Sequence, residues 1–147
     1  MPVPVSDQTI YDISHVIQLS VAPVFLLTSI GTILSVLSTR LARIVDRARA
    51  LNERLETAEE GRIPAIHAEM HTLSARRRLV NLAITFGTIA ALLVCVSISA
   101  VFIGAMLKAN IAVPVALLFI TALAAFVAAL VFFLREIFLA VRSLHLA

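Results

Sequence analysis

Charged side chains are scarce in this sequence and are missing altogether from three long stretches. Asp, Glu, Lys and Arg make up 14% of the 147 residues, whereas hydrophobic residues make up 61%. A soluble globular domain usually carries about 25% charged residues. The mean hydropathy of +1.02 therefore excludes an ordinary soluble domain and indicates an integral membrane protein.

The residues of common catalytic and redox sites are missing as well. A single cysteine, Cys95, excludes an intramolecular disulfide. The sequence has no phosphate-binding loop, no Cys-x-x-Cys pair and no Gly-x-Ser-x-Gly elbow. The three apolar stretches contain no ionisable Asp, Glu, Lys, Arg or His, which argues against a proton-coupled pump or transporter. We therefore expect a protein that is not an enzyme and binds no cofactor.

Two histidines, His67 and His71, form the arrangement that comes nearest to a ligand set. They are four residues apart and so share one face of a helix. Zinc needs three or four ligands, and the glutamate between the histidines is misplaced for the metalloprotease motif. We expect solvated surface histidines and no metal site, and metal binding by this pair is the alternative.

Three apolar stretches are each long enough to cross a membrane. About 20 helical residues span a hydrocarbon core of about 30 Å. The sequence therefore predicts an all-α integral membrane protein with three transmembrane helices. The predicted segments are an external N-terminal segment at 1–15, transmembrane helices at 16–39, 79–107 and 115–134, a charged hairpin at 40–78, an external loop at 108–114 and a cytoplasmic C-terminal helix at 135–147.

The basic residues are concentrated on one side of the apolar stretches. Nine of the twelve Lys and Arg residues lie within 40–78. Because positive charge collects in cytoplasmic loops, we expect the N-terminus outside, the C-terminus in the cytoplasm and no nucleic-acid partner. The expected contacts are the bilayer and its anionic headgroups. The candidate charge cluster, at the membrane surface or between subunits, comprises Arg40, Arg43, Asp46, Arg47, Arg76, Arg77 and Arg78.

The first transmembrane helix is predicted to continue beyond the membrane and to fold back as a helical hairpin. Apolar residues after Arg40 recur at spacings of three and four, which is typical of a heptad seam. Gly61 is suited to a left-handed turn at 59–64, and Pro64 to the first turn of the next helix. The seam residues are Leu41, Ile44, Ala48, Leu51 and Leu55 on the first helix, and Ile66, Met70, Leu73, Arg77 and Val80 on the second.

Small and hydroxyl-bearing residues recur along one stripe of each of the first two transmembrane helices. Such stripes let helices approach closely, either within one chain or between subunits. A hydroxyl-lined pore or groove is the alternative. The candidate packing or pore-lining residues are Thr28, Gly31, Ser35 and Ser38 on the first helix, and Thr88, Cys95 and Ser99 on the second.

The end of the third helix is predicted to return to the cytoplasm. Arg135, Glu136 and Arg142 mark this return, while Ile137, Leu144 and Leu146 make the segment too apolar to stand alone in water. We expect it to pack against the hairpin or to lie on the lipid headgroups.

The sequence resembles a bacterial family of small membrane proteins known as domain of unknown function 2721. The matching features are Ala22 to Phe25, the run from Arg40 to Arg47 and the arginines at 76–78. The resemblance extends from about Ile10 to Arg142. It implies a prokaryotic inner-membrane location, and it supplies no activity and no catalytic residue.

Two functional hypotheses follow from these patterns. The first is a non-enzymatic homo-oligomeric membrane assembly, with a pore as one arrangement of it. The second is an accessory or scaffold subunit that binds a partner protein through the cytoplasmic hairpin. The patterns do not specify an oligomer number, a permeant species or a partner.

Overall fold

The protein consists of three long α-helices and one short 3-10 turn. The computed structural model describes residues 5–145, so residues 1–4 of the predicted N-terminal segment and 146–147 of the predicted C-terminal helix lie outside the described part. The elements are α1 (Val5–Glu56), the 3-10 turn (Glu60–Arg62), α2 (Ile63–Leu107) and α3 (Ala112–His145). All three α-helices are long and apolar enough to cross a membrane, which confirms an all-helical chain with three candidate spans.

Helix α1 runs without interruption from an apolar half into a charged half. It contains 52 residues, which corresponds to about 78 Å at 1.5 Å per residue. That length is more than twice a hydrocarbon core of about 30 Å. The prediction that the first helix continues past Arg40 is confirmed, and the helix also continues through Pro23 and back to Val5.

The reversal between α1 and α2 uses a different backbone from the one predicted. Gly61 was expected to be left-handed, and this was wrong, because no glycine in the described residues has a positive φ. The chain instead turns through an extended Glu59 (φ −65°, ψ 147°) and a 3-10 turn that contains Gly61. Since the direction change is spread over several residues, no left-handed residue is needed. Pro64 lies in the first turn of α2, as predicted.

The connection between α2 and α3 is shorter than the predicted loop at 108–114. Lys108 ends α2 in a left-handed conformation (φ 50°), and α3 begins at Ala112. The N–H of Ala109 donates to the carbonyl of Gly104 at 3.1 Å, so the turn itself satisfies this carbonyl near the end of α2. A Cβ at Gly104 would collide with the side chain of Ile111, which folds back onto it.

The core lies along α2, which packs against both α1 and α3. In the charged half, α1 and α2 pack through Ile44, Leu51 and Leu73, all of which are buried. In the apolar half, Ile30, Ala90, Val94 and Ala122 form a second buried cluster.

The three helices approach one another closely at Gly87. A Cβ there would lie 2.9 Å from the Leu34 Cδ2 of α1 and 3.9 Å from the Ala129 Cβ of α3. The absence of a side chain at this position therefore lets α2 sit between the other two helices. Just below this level, the rings of Phe86 and Phe132 stack with their centroids 5.5 Å apart.

Candidate functional site

A buried carboxylate lies where the apolar halves of the helices meet their charged halves. Glu136 of α3 has 0% exposure, and its side chain is directed at α1 and α2. It follows Phe132 and Phe133 by about one helical turn, and both rings pack against the buried cluster between α1 and α2. The apolar packing of α3 therefore places the carboxylate inside the bundle.

Two arginines from the other helices hold this carboxylate. Arg40 of α1 donates from Nη1 to Oε2 at 2.7 Å. Arg76 of α2 donates to Oε1 from Nη2 at 2.9 Å and from Nε at 3.1 Å. The guanidinium of Arg40 also lies over the ring of Phe133, 5.3 Å from its centroid, within the range of a cation–π interaction. Each helix thus contributes one charged group to what we call the ion triad (Arg40, Arg76 and Glu136).

The electrostatics of the ion triad explain why its carboxylate can be buried. Removing a carboxylate from water costs several kcal/mol unless it is paired and hydrogen-bonded. Both oxygens of Glu136 have partners, and no buried side-chain nitrogen or oxygen in the described residues lacks one. The side chains of Arg40 and Arg76 remain 35% and 22% exposed, so the excess positive charge stays accessible at the protein surface.

The arrangement of the ion triad fits a structural link between helices. Its carboxylate is occupied on both oxygens, and no nucleophilic side chain takes part in its hydrogen bonds. The arginine partners of this carboxylate lie 96 and 60 residues away from it in the chain, so the ion triad holds all three helices together through long-range contacts.

The predicted seam of α2 needs one correction. Arg77 was assigned to the seam, and this was wrong, because Arg77 is exposed whereas Arg76 is partly buried and faces Glu136. Leu73 and Val80 are seven residues apart, so either of the two arginines fits the 3.6-residue period between them. The carboxylate on α3 explains which arginine turns inward.

The remaining members of the candidate charge cluster lie on the outside of the protein. Arg47 pairs with Glu69 across α1 and α2 at 2.8 Å, and both side chains are more than 40% exposed. The structure records no ion pair within its described part for Arg43, Asp46, Arg77 or Arg78, all of which are exposed. The cluster therefore separates into an inward ion triad, one surface pair and exposed charges.

Most of the chain, with residues of all three helices, matches the model of one protein family. The model for a protein of unknown function, DUF2721, matches residues 20–146. The chain belongs to the DUF2721 family. Comparison of this DUF2721 protein with curated proteins and with solved structures finds no match. The family description supplies no activity, while the matched region includes all three residues of the ion triad.

The small-residue stripes of this DUF2721 protein face away from its own core. All seven candidate residues are exposed, and a Cβ at Gly31 would meet nothing within 4 Å. Several hydroxyls donate to the carbonyl four residues earlier, as Thr28 does to Val24 at 3.1 Å and Thr88 to Ile84 at 2.8 Å. The exposed residues are Thr28, Gly31, Ser35, Ser38, Thr88, Cys95 and Ser99.

His67 and His71 both lie on the exposed side of α2. In the part of the chain that the structure describes, no group of three or more His, Cys, Asp and Glu residues is placed to hold a metal ion.

The role of Glu136 was missed by reasoning from the sequence. It was assigned to the return of the third helix to the cytoplasm, together with Arg135. One signal was available: Glu136 is the only acidic residue after Glu69, at the end of a long apolar helix. This single carboxylate follows an apolar stretch, just as the arginines at Arg40 and Arg76 border one. It could therefore have been predicted to pair with one arginine from each of the other two helices.

Proposed function

We propose that this protein is a multi-pass inner-membrane protein with its N-terminus outside and its C-terminus in the cytoplasm. The support is the clustering of nine basic residues in 40–78, next to the apolar halves of α1 and α2. In this orientation the charged halves of α1 and α2 form a cytoplasmic hairpin, and the exposed arginines lie at the level of the anionic headgroups.

We infer further that the protein is non-enzymatic and works as a homo-oligomeric membrane assembly. The observation that carries this proposal is the exposure of both small-residue stripes on the three-helix protomer. In a membrane, helices associate through such stripes because small side chains let their backbones approach closely. The helices of one chain pack against each other through other faces. The stripes on α1 and α2 are therefore free to contact a second copy of the chain.

A pore is the further arrangement that such an assembly allows. Thr28, Thr88 and Ser99 donate their hydroxyl protons to their own helices, so only the oxygen lone pairs remain for water or an ion. Ion flux through liposomes that contain the purified protein would support a pore, and tight liposomes with the oligomer present would restrict the proposal to an assembly without a pore.

The experiment that tests the assembly compares two substitutions on α1. Gly31→Leu adds a large side chain where the protomer has open space, so the fold of a single chain should persist while close approach by a second chain is blocked. Val36→Leu is the matched control, because Val36 is also exposed and lies about 140° around the same helix. Native mass spectrometry from lipid should show oligomers for the control and smaller species for Gly31→Leu. Equal oligomer populations in both variants would contradict this interface.

The second candidate function is a scaffold or accessory subunit, and the turn between α1 and α2 favours one surface for it. A cavity of about 860 Å³ there is lined by apolar residues and by residues of both charges, among them Arg54, Glu59 and Arg62. The seam closer to the apolar half is filled, since Ile44 is only 3% exposed, so docking would use this cavity. Co-purification of a stoichiometric partner that is lost in Arg54→Glu/Arg62→Glu would support it, and an unchanged set of co-purified proteins would oppose it.

A further inference from the structure

A groove on the outer side of α2 concentrates positive charge beside the ion triad. Arg77 and Arg78 border a shallow, open groove on the surface of α2 together with four other residues of the same helix, none of them acidic. By contrast, a cavity of about 590 Å³ between the three helices contains both Arg47 and its partner Glu69. The groove therefore carries two positive charges that no lining carboxylate balances. Its lining residues are Ser74, Arg77, Arg78, Asn81, Leu82 and Thr85.

The donors in this groove are available to a ligand. The guanidiniums of Arg77 and Arg78 form no ion pair within the described residues, and the amide of Asn81 and the hydroxyl of Ser74 form no side-chain hydrogen bond there. Thr85 donates its hydroxyl proton to the carbonyl of Asn81 at 2.8 Å, which leaves its oxygen as an acceptor. Guanidiniums with free N–H groups match the oxygens of a phosphate, because they donate two parallel hydrogen bonds.

The order of the residues along α2 resembles the order of groups in a phospholipid. Arg77 and Arg78 come first, then the uncharged polar side chains of Asn81 and Thr85, and then the exposed apolar surface at Ile89 and Leu92. Seven residues separate Arg78 from Thr85, a rise of about 10 Å. A phospholipid presents its phosphate, its glycerol esters and its acyl chains in the same sequence from the surface inward. A free phosphate would use only the first part of the groove.

We propose that this groove binds the phosphate group of an anionic phospholipid, with the acyl chains lying along α2. The absence of a lining carboxylate favours an anionic headgroup over a zwitterionic one, because a headgroup ammonium would find no counter-charge. The proposal rests on the membrane placement of the three helices. On α2 the acyl chains would lie on the face that carries Thr88 and Cys95, next to the proposed oligomer contact.

The test measures how many anionic phospholipids each chain retains after extraction from vesicles of mixed anionic and zwitterionic phospholipids, by native mass spectrometry. Arg77→Gln/Arg78→Gln should weaken retention of the anionic lipid by about 30-fold, because it removes charge-assisted hydrogen bonds to the phosphate. The matched control is Arg43→Gln/Arg135→Gln, which removes two exposed arginines from α1 and α3. The control should retain the lipid nearly as well as the unmodified protein. Equal weakening in both double variants would show general headgroup attraction and would overturn the groove.

A second measurement separates a lipid from a soluble anion. Protein stripped of lipid in neutral detergent is titrated with inorganic phosphate and, separately, with micelles that contain the anionic lipid. We expect saturable binding of the lipid, sensitive to Arg77→Gln/Arg78→Gln, and no saturable binding of phosphate at millimolar concentration. Saturable phosphate binding with the same sensitivity would overturn the lipid assignment. Absence of saturable lipid binding by the unmodified protein, with its oligomers intact, would reject the groove and leave the proposed assembly standing.

Discussion

The Oε2 of Glu136 lies 2.7 Å from the Nη1 of Arg40, although 96 residues separate the two in the chain. Arg76 occupies the other oxygen of the same carboxylate, so one buried group joins all three helices. The contact lies where apolar helix surface gives way to charged surface. This direct interaction therefore aligns the boundary between apolar and charged surface on each helix with the same boundary on the other two.

Removing the charge of Glu136 should destabilise the protein. Glu136→Gln leaves two arginines facing an uncharged amide inside the bundle, and breaking a buried ion pair costs about 3–5 kcal/mol. We expect about 3 kcal/mol, because the partial exposure of both arginines lets them recover some hydration. Unfolding of the monomer in detergent measures the loss. Glu69→Gln is the control, since the exposed Arg47–Glu69 pair should contribute at most about 1 kcal/mol. Similar losses in the two variants would show that the ion triad has no special role.

Replacing the whole ion triad with apolar residues should restore much of that stability. Arg40→Met/Arg76→Met/Glu136→Leu removes all three charges together and leaves none unpaired. Such replacements are often neutral or stabilising. We expect the triple variant to unfold later than Glu136→Gln in the same detergent. A triple variant less stable than the single one would indicate that the arginines stabilise the fold through contacts other than those with Glu136.

The same substitution should have opposite effects at two glycines. Gly87→Leu places a side chain against Leu34 and Ala129, and overpacking of this kind costs about 1–3 kcal/mol. Gly31→Leu meets no neighbour in the protomer and replaces a poor helix former, so we expect a gain of up to about 1 kcal/mol. Unfolding of the monomeric species measures both. A comparable loss at Gly31 would contradict the open space beside it.

Part of this architecture could be predicted from the sequence, because the relevant signals are local. The seam residues Leu41, Ile44 and Leu51 are all at least half-buried, since heptad spacing is sufficient to orient one helix face. Three apolar stretches likewise predicted three helices able to span a membrane. Continuation of α1 past Arg40 to Glu56 followed from the heptad spacing of its apolar residues.

The parts that could not be predicted depend on contacts between distant residues. Periodicity does not distinguish Arg76 from Arg77, because both fit between Leu73 and Val80, and the choice depends on Glu136 some 60 residues away. The spacing of small residues showed which ones share a face, without showing whether that face turns inward or outward. For Gly31 the structure supplies the answer, which is outward.

The proposed orientation makes a labelling prediction. In a Cys95→Ser background, Glu60→Cys places a thiol in the turn before α2, and Asn110→Cys places one between α2 and α3. If the arginine-rich half is cytoplasmic, a membrane-impermeant maleimide should label Asn110→Cys in intact cells and Glu60→Cys only after lysis. The reverse pattern would invert the topology and would place the arginines outside.

The central claim is that this three-helix protomer assembles with further copies of itself through its exposed small-residue stripes. The most direct measurement is the mass of the unmodified protein released from a native-like lipid bilayer. The account predicts a discrete multiple of the 15.9 kDa chain, insensitive to dilution in lipid. A single species at 15.9 kDa in lipid would contradict it.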